Sequence, residues 1–468
     1  MIESLRALDA LWSETRGPTD ALAMAILTGS EPVLPSSFAM GVLAQSTIAA
    51  AGLAAAELWR LRTGRRQRVE VDMRHAVEEF RSERRFLVDG ELPHGYRDPL
   101  AGIYQCAEGG WARPHLTFPH HRDGILRLLG CDPRATDKQA LQRAFGMRDS
   151  RELEEQAAAA GLPLAALRAF AEWDVHPQGV AVAAMPLIAI ERIGDAPLRR
   201  FALSDNRPLA GIRVLELARI IAGPVCGRDL AAHGADVLAI SAAHLPSVKQ
   251  LAMDMGRGKL SSHLDLRASD SRERLRKLLS YADVMVQAYR PDALAALGFG
   301  AEDVAGIKPG IVFGELSAWG WSGPWGGRRG YDSLVQTATG FNHAEAEAAN
   351  DPSPRELPVQ ALDHASGHLL AFGVMRAMAR QVEEGGTWRV RVCLARTGLW
   401  LRSLGRSPFG SPSANVNEAD ISDLLENHPS EFGCMTALRH SAVLSETPAH
   451  WLRPSVPLGA SSPGWPDL

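Results

Sequence analysis

Asp363 is the residue whose setting in this sequence most favours covalent chemistry. It directly precedes a long apolar stretch, residues 364–381, for which the pattern predicts a helix, and no other acid is near it in the sequence. Free amides and the positive end of a helix stabilise an adjacent carboxylate, so we expect Asp363 to be ionised at neutral pH. An ionised carboxylate can attack an acyl group and carry it. The position also suits a simple N-cap, the commoner role, so the pattern alone leaves both open.

Several cations are expected on loops beside strand ends, where nucleotides bind in open α/β sheets. They are Arg257, Lys259, Arg290 and Arg329. Guanidinium and ammonium groups bind phosphates, so these four residues are candidate phosphate contacts. The alternative is that each is a solvated charge on the surface. The turn Ala222-Gly223-Pro224 precedes a predicted helix whose first amides could also bind an anion.

Other chemistries find little support in the sequence. The five cysteines are scattered and include no CxxC pair, which excludes a disulfide framework or a cysteine zinc site as a prediction. His115, His120 and His121 are expected to be surface histidines around a turn, and Trp319, Trp321 and Trp325 to pack a loop. No GxSxG motif occurs. The net charge of −4 argues against nucleic acid as a partner.

The stretch Phe38–Leu58 is apolar and about as long as a membrane span. It is rich in alanine and interrupted by polar residues, so we predict a buried helix pair instead. The N-terminal residues 1–16 carry acids and lack the basic start and apolar run of a secretion signal. These features predict a cytoplasmic protein without membrane contact.

From Leu209 onward, short apolar strands alternate with helical patterns. Strands are predicted at 212–217, 236–240, 264–266, 284–286 and 311–314, and helices at 225–233, 269–280 and 291–297. This alternation predicts a parallel sheet in a Rossmann-like, doubly wound α/β domain. Residues 1–205 predict helices and a smaller α+β domain, and residues 406–468 an irregular wrap or tail.

Two distant segments of the chain echo each other. Helix, glycine turn and charged-apolar strand follow in the same order in residues 50–71 and 371–392. Few identities are involved, yet the shared order favours a degenerate internal duplication. At the position that matches Asp363, the first copy has Val42.

Residues 209–405 resemble the family III CoA-transferases, the CaiB/BaiF group. The resemblance rests on motifs that follow one another in the family's order. They are Val214–Pro224, Gly234–Val237, Arg257-Gly258-Lys259 before Leu264–Leu266, Ala282–Val286, Tyr289-Arg290-Pro291, Ser322-Gly323-Pro324, Gly330-Tyr331-Asp332 and Asp363. Residues 40–205 resemble the half that normally follows the catalytic helix, so the order of the halves is rearranged and partly duplicated.

The resemblance implies CoA transfer between carboxylic acids, with Asp363 as the acyl-carrying nucleophile. The CoA contacts that it implies are Ile221, Ala222, Arg257, Lys259, Tyr289, Arg290 and Arg329. It implies no metal and no tightly bound cofactor, with acyl-CoA and a carboxylic acid as substrates. Family members are interlocked homodimers, which makes a homodimer the favoured assembly here, and a chain that completes itself the alternative.

Departures from the family pattern keep other functions open. Ala239-Ile240-Ser241, Ala288 and Ala296 replace residues that the family commonly uses. These changes suit a non-catalytic CoA-binding or dimerising remnant. An acyl-CoA racemase or isomerase would need an acid/base pair, and His364 beside Asp363 is the feature that supports it. The racemases of the family have His where Tyr331 stands here.

Overall fold

The computed structural model describes residues 2–93, 98–202, 206–406 and 420–466. Gly95-Tyr96-Arg97, which contribute to the resemblance, lie outside the described residues. The helices before residue 200 are α1 (Ile2–Glu14), α2 (Met40–Thr63), α3 (Met73–Glu79), α4 (Pro119–Leu128), α5 (Lys138–Gly146), α6 (Ser150–Ala159), α7 (Phe170–Val175) and α8 (Pro177–Ala183). The strands are β1 (Ala25–Thr28), β2 (Val69–Asp72), β3 (Leu87–Val88), β4 (Tyr104–Gln105), β5 (Trp111–Pro114), β6 (Leu164–Ala166) and β7 (Ile188–Gly194).

The second segment alternates strands and helices as predicted. Its strands are β8 (Arg213–Leu217), β9 (Asp236–Ser241), β10 (Lys259–His263), β11 (Val284–Gln287), β12 (Val312–Ser317) and β13 (Thr387–Cys393). Its helices are α9 (Ala222–Ala232), α10 (Lys249–Met255), α11 (Ser269–Ser280), α12 (Ala301–Ile307), α13 (Asp332–Thr339), α14 (Phe341–Ala349), α15 (Ala361–Glu384) and α16 (Leu394–Ser403). Strands β14 (Leu425–Ser430), β15 (Gly433–Leu438) and β16 (Ala442–Leu444) follow.

The main sheet confirms the predicted fold class. Its seven strands run in the order β10-β9-β8-β11-β12-β13-β7, and all neighbours are parallel except β13 and β7. Helices pack on both faces, with separate apolar clusters on each side. A smaller antiparallel sheet, β4-β5-β6, packs with α4, α5 and α6 as an α+β unit.

Two details of the predicted alternation are wrong. The strand expected at 264–266 is instead β10, because its Lys259 is neutralised by a buried carboxylate and the segment can pair with β9. The helix expected at 291–297 is reduced to a single 3-10 turn, Ala295–Leu297. Asp292 has a φ of 66° and Gly298 a φ of 79°, and both interrupt helical geometry.

The apolar N-terminal stretch forms one long helix rather than a pair. Helix α2 has 24 residues and ends at Gly64, which adopts the left-handed conformation. Within the described residues, α2 is the helix long and apolar enough to span a membrane, and its most apolar window is entirely buried in the protein. It packs along α15 in the centre of the molecule.

The two segments of the predicted duplication have the same order of elements in the structure. Helices α2 and α15 both have 24 residues, and each leads through a glycine into a strand and a further helix. A Cβ added at Gly52 would lie 2.9 Å from Val69 Cγ1, and one at Gly373 would lie 2.6 Å from Val390 Cγ1. The two glycines therefore perform the same task, the close approach of helix and following strand.

The segments before and after residue 205 share one core. Side chains of α2, α9 and α15 belong to the same buried apolar cluster, and β7 completes the main sheet. The C-terminal residues, expected to be irregular, form β14 to β16, of which β15 pairs with β3 and β16 with β2. Their partners are more than 300 residues away in sequence, so local pattern could not indicate them.

Candidate active site

A cavity opens where the strand order of the main sheet reverses. The chain continues from β8 to β9 on one side and from β11 to β12 on the other, although β8 and β11 are neighbours. Such a switch point is where open α/β sheets bind ligands. The cavity has a volume of about 280 Å³ and is lined by the loops after β8, β11 and β12 and by the start of α15.

The structure brings six of the eight predicted site residues together in this cavity. Asp363 lines it from α15, and the other five come from the loops and from the start of α9: Ile221, Ala222, Tyr289, Arg290 and Arg329. Gly223 permits the approach of α9, because a Cβ there would lie 2.4 Å from Ala218 Cβ and 2.9 Å from Ala288 Cβ.

Asp363 is the third residue of α15 rather than the residue before the helix. It is 9% exposed, and it is the acidic residue among the described ones that line the cavity. The amides at the helix start do not bind its carboxylate. Asp332 Oδ2 accepts hydrogen bonds from the amides of Leu362 (2.8 Å) and Asp363 (2.9 Å).

The surroundings of Asp363 oppose the ionised form that its place before a helix predicted. Burial raises the pKa of Asp363 well above its usual range, and the neighbouring carboxyl groups of Asp332 and Glu83 raise it further. Burial also raises the pKa of Asp332 to about 6. The sequence suggested no acid near Asp363, because Asp332 and Glu83 approach it only through the fold.

The cavity is strongly cationic. Arg219, Arg290, Arg328 and Arg329 line it together with the single carboxyl group of Asp363. Three of these arginines have protein partners: Arg219 donates to the carbonyl of Pro246, Arg328 pairs with Glu155, and Arg329 donates to the carbonyl of Gly161. Arg290 is exposed, and its guanidinium has no hydrogen-bond or ion-pair partner within the part of the chain that the structure describes. The cavity therefore favours an anionic ligand.

Arg257 is placed away from this cavity. It is 2% exposed, its guanidinium donates to Asp254 Oδ1 (2.9 Å) and to the carbonyl of Leu438 (2.6 Å), and it lies 4.1 Å from the Trp451 ring centre. Its guanidinium attaches the C-terminal segment. The expectation that Arg257 is a cation on a loop, and the alternative that it is a solvated surface charge, are therefore both wrong.

Lys259 is likewise buried, at the first residue of β10. Its ammonium group donates to Glu216 Oε2 and to the carbonyl of Pro224, both at 2.7 Å. It lines a second cavity beside the first. In this structure, its charge is neutralised by Glu216 and is not offered to a phosphate in the cavity of Asp363.

The N-terminal segment supplies one wall of the site. Phe118 lines the cavity, and His115 stacks on Tyr331 with ring centres 3.6 Å apart. His121 is 1% exposed, and burial lowers the pKa of His115 and of His121 to about 3, so both rings are neutral. The expectation of surface histidines is wrong for these two, because residues from the second segment cover them. Sequence analysis had no signal for this contact.

One group of possible metal ligands occurs among the described residues: Asp229, His233 and His440, all buried. His440 Nδ1 accepts a hydrogen bond from the amide of Ala442, so Nε2 carries the proton and donates to Asp229 Oδ1 at 3.2 Å. His368 also donates to Asp229, at 2.9 Å. A metal-bound histidine binds the ion through one ring nitrogen and normally donates a hydrogen bond from the other. The nitrogen of His440 that faces Asp229 is instead a donor, so the geometry fits a carboxylate that accepts hydrogen bonds from imidazoles.

Comparison with known proteins gives the family. The sequence description of CoA-transferase family III matches residues 209–405. Residues 209–405 are thus similar to CoA-transferase family III, and the match covers less than half of the chain. It has the boundaries predicted from the sequence and contains Asp363 and the residues that line its cavity, except Phe118.

The names of curated relatives specify different acyl groups or acids. An acetyl-coenzyme A transferase of Hypoxylon pulicicidum is 33% identical over 207 residues, 43% of this chain and 35% of that protein. A "Probable fatty acyl-CoA transferase" of Mycobacterium tuberculosis is 29% identical, with 42% and 53% of the two chains covered. A succinate–glutarate CoA-transferase of Agrobacterium fabrum is 30% identical, with 38% and 48% covered.

Among solved structures, that of Rv3272 from Mycobacterium tuberculosis is similar, with 30% identity and a TM-score of 0.39 over 42% of this chain and 59% of that one. The chain thus spans about half the length, or less, of the curated family III relatives given above.

Proposed function

We propose that the protein transfers CoA between carboxylic acids, with Asp363 as the carrier of the acyl group. The supporting observation is that Asp363 lines a cationic cavity at the switch point of a Rossmann-like sheet. A CoA thioester brings phosphates, which suit the arginines, and a reactive carbonyl, which suits the carboxylate. The resemblance of residues 209–405 to named CoA-transferases gives the same reaction class.

The proposed reaction has four balanced steps. The Asp363 carboxylate attacks the donor thioester, and a mixed anhydride forms as CoA thiolate leaves. The thiolate then attacks the aspartyl carbonyl of the anhydride, which releases the donor acid and leaves an aspartyl-CoA thioester. The acceptor carboxylate attacks this thioester, which gives a second anhydride and thiolate. The thiolate finally attacks the acceptor carbonyl, so that new acyl-CoA leaves and the Asp363 carboxylate is restored.

The protein's own groups support these steps. The cavity's arginines attract the anionic substrates, and their charge favours the ionised form of Asp363. The amides of Ala222 and Gly223 begin α9 at the cavity wall, and a helix N-terminus can stabilise an oxyanion. Asp332 holds the first turn of α15 in place through two amides.

The finer expectations from the sequence form part of the proposal. We propose acyl-CoA and a free carboxylic acid as the partners, no nucleic acid or membrane, no tightly bound cofactor and a cytoplasmic location. The racemase alternative lacks support at His364, which is fully buried and contacts Glu83 at 3.2 Å instead of facing the cavity.

An isotope experiment tests the carrier role. The protein is incubated with acyl-CoA and an acceptor acid labelled with oxygen-18 in both carboxylate oxygens. The four steps leave one labelled oxygen on Asp363, and mass spectrometry of the peptide that contains it should find the label. Asp363→Asn should show neither label nor turnover, whereas the exposed control Asp270→Asn should show both. Turnover by wild type without label on Asp363 would exclude the proposed mechanism.

A further inference from the structure

A second cavity of about 170 Å³ lies beside the catalytic one. It is bounded by one face of β8, β9 and β10, by α10 and by the C-terminal segment. Its apolar walls include Leu245, Val248, Leu251, Met255, Val456 and Leu458. The amide of Gly459 donates to Ser261 Oγ at 3.1 Å, and that of Ser461 to the Ser261 carbonyl at 2.7 Å, which holds the C-terminal wall against β10.

The two cavities share part of their lining. Arg219, Ile220 and Leu245 line both, so the side cavity adjoins the cavity of Asp363. An acyl group whose carbonyl carbon lies at Asp363 would enter the side cavity past these three side chains.

Ile220 in this wall has an uncommon backbone conformation. Its φ is 73°, in the left-handed region, where a β-branched residue is strained. Such strain persists only where the surroundings enforce it, and it concentrates at ligand sites. A glycine would remove the strain, but it would also remove the apolar wall between the cavities.

The lining of the side cavity is mainly apolar, and beside the pair of Glu216 and Lys259 its polar members are Arg219, Ser241, Ser247, Ser261 and His263. Its buried charges, Glu216 and Lys259, neutralise each other at 2.7 Å, and the carbonyl of Pro224 accepts a further bond from Lys259. A dry apolar cavity of about 150 Å³ accommodates a ligand of benzene size, which is on the order of six carbons. We propose that the side cavity binds the hydrocarbon chain of an acyl-CoA with roughly six acyl carbons. This substrate class rests on the proposed CoA transfer.

Binding of unreactive CoA thioethers tests the proposal without turnover. Calorimetry compares S-hexyl-CoA with S-ethyl-CoA. The hexyl compound should bind on the order of 100-fold more tightly, because its four additional methylenes leave water. Ala239 lies on β9 and lines only the side cavity of the two. Ala239→Leu should bring the ratio of the two affinities towards one, and the exposed control Ala159→Leu on α6 should keep the wild-type ratio.

The possible results separate this proposal from the transfer reaction. If Ala239→Leu leaves the ratio of the two affinities unchanged, the chain site is overturned. If both thioethers also lose affinity by the same factor, the side cavity binds CoA itself. If Ala239→Leu does not fold, Ala252→Leu tests the opposite wall on α10. A chain-length preference in a protein that shows no transfer would refute the proposed function and leave the chain site standing.

Discussion

At the scale of single residues, the carboxyl group of Asp363 is the most informative feature. Its nucleophilic form is the ionised one, yet burial, Asp332 and Glu83 all raise its pKa. A raised pKa means that a smaller fraction of Asp363 is ionised at a given pH, and that this fraction reaches its plateau only at higher pH. This differs from the simple helix-end argument because the α15 amides are already bound to Asp332.

The first prediction is that transfer rises with pH towards a plateau governed by Asp363. Asp332→Asn removes a negative neighbour and should lower the pKa of Asp363, so the midpoint of the pH profile should move to lower pH. The measurement is kcat/KM against pH for both proteins. A profile that does not move would show that Asp332 exerts no electrostatic effect on the nucleophile. Asp270→Asn, on the surface, should leave the wild-type profile unchanged.

The second prediction contrasts two arginines that the sequence treated alike. Arg290→Gln should weaken CoA binding, and the loss should shrink at high salt, because Arg290 is exposed at the cavity. Arg257→Gln should instead lower the free energy of unfolding by about 3 kcal/mol, because it leaves Asp254 with one buried cation fewer. Calorimetry at two salt concentrations and chemical denaturation measure the two effects. Equal loss of CoA affinity in both variants, with stability intact, would contradict this division of roles.

At the scale of elements, the crossing of α9 and α15 sets the catalytic geometry. Gly367 makes the crossing possible: a Cβ there would lie 2.6 Å from the Ala222 carbonyl oxygen and 2.6 Å from Val225 Cβ. Both helix N-termini consequently reach the same cavity. A fully polar catalytic loop could not achieve this precision, since the helices are fixed by the central core.

The third prediction follows from that crossing. Gly367→Ala should destabilise the protein by about 1–3 kcal/mol through overpacking and should reduce kcat by moving Asp363 away from α9. Gly306→Ala is the matched control, because no atom lies within 4 Å of its added Cβ. In an exposed helix, this control should gain about 0.5–1 kcal/mol. Thermal or urea unfolding of the two variants decides the matter, and equal stability would show that the helices can separate without cost.

At the scale of the whole molecule, the chain pairs its central helix α15 with a second helix of the same length, α2. Every residue of α2 up to Trp59 is buried, and α2 packs along α15. Yet it holds Val42 at the place of the nucleophile, and only β1, β2 and β16 form the small sheet beside it. Among the described residues, one cavity therefore contains the proposed nucleophile, and α2 covers the long helix α15.

The fourth prediction concerns assembly, for which the sequence favoured a homodimer. The homodimer stays untested. Because α2 buries α15 within one chain, we now expect the self-completed alternative, a monomer of 50.5 kDa. Light scattering across micromolar concentrations measures this directly. A stable particle of twice that mass would restore the homodimer, and Ile26 and Val443, exposed on the small sheet, would be the first positions to mutate.

The sequence by itself determined the features that depend on local order. Alternating strands and helices from Leu209 onward, the motifs around Ile221 and Tyr289, and the aspartate at the head of an apolar helix were sufficient for the fold class, the family and the position of Asp363. The duplication was also readable, because helix, glycine and strand recur with the same spacing. These features arise from hydrophobic period and glycine conformation, which neighbouring residues fix.

Only the tertiary structure decided which charges act together. Arg257 and Lys259 have the same local pattern as Arg290, yet partners 3 and 43 residues away bury them in ion pairs. Burial raises the pKa of Asp363, and Asp332 and Glu83, which reach it from 31 and 280 residues away, raise it further. Burial and electrostatics depend on distances through space, and a linear pattern contains no such distances. The cavity behind Ile220 has the same origin, since its walls come from three strands, two helices and the C-terminal segment.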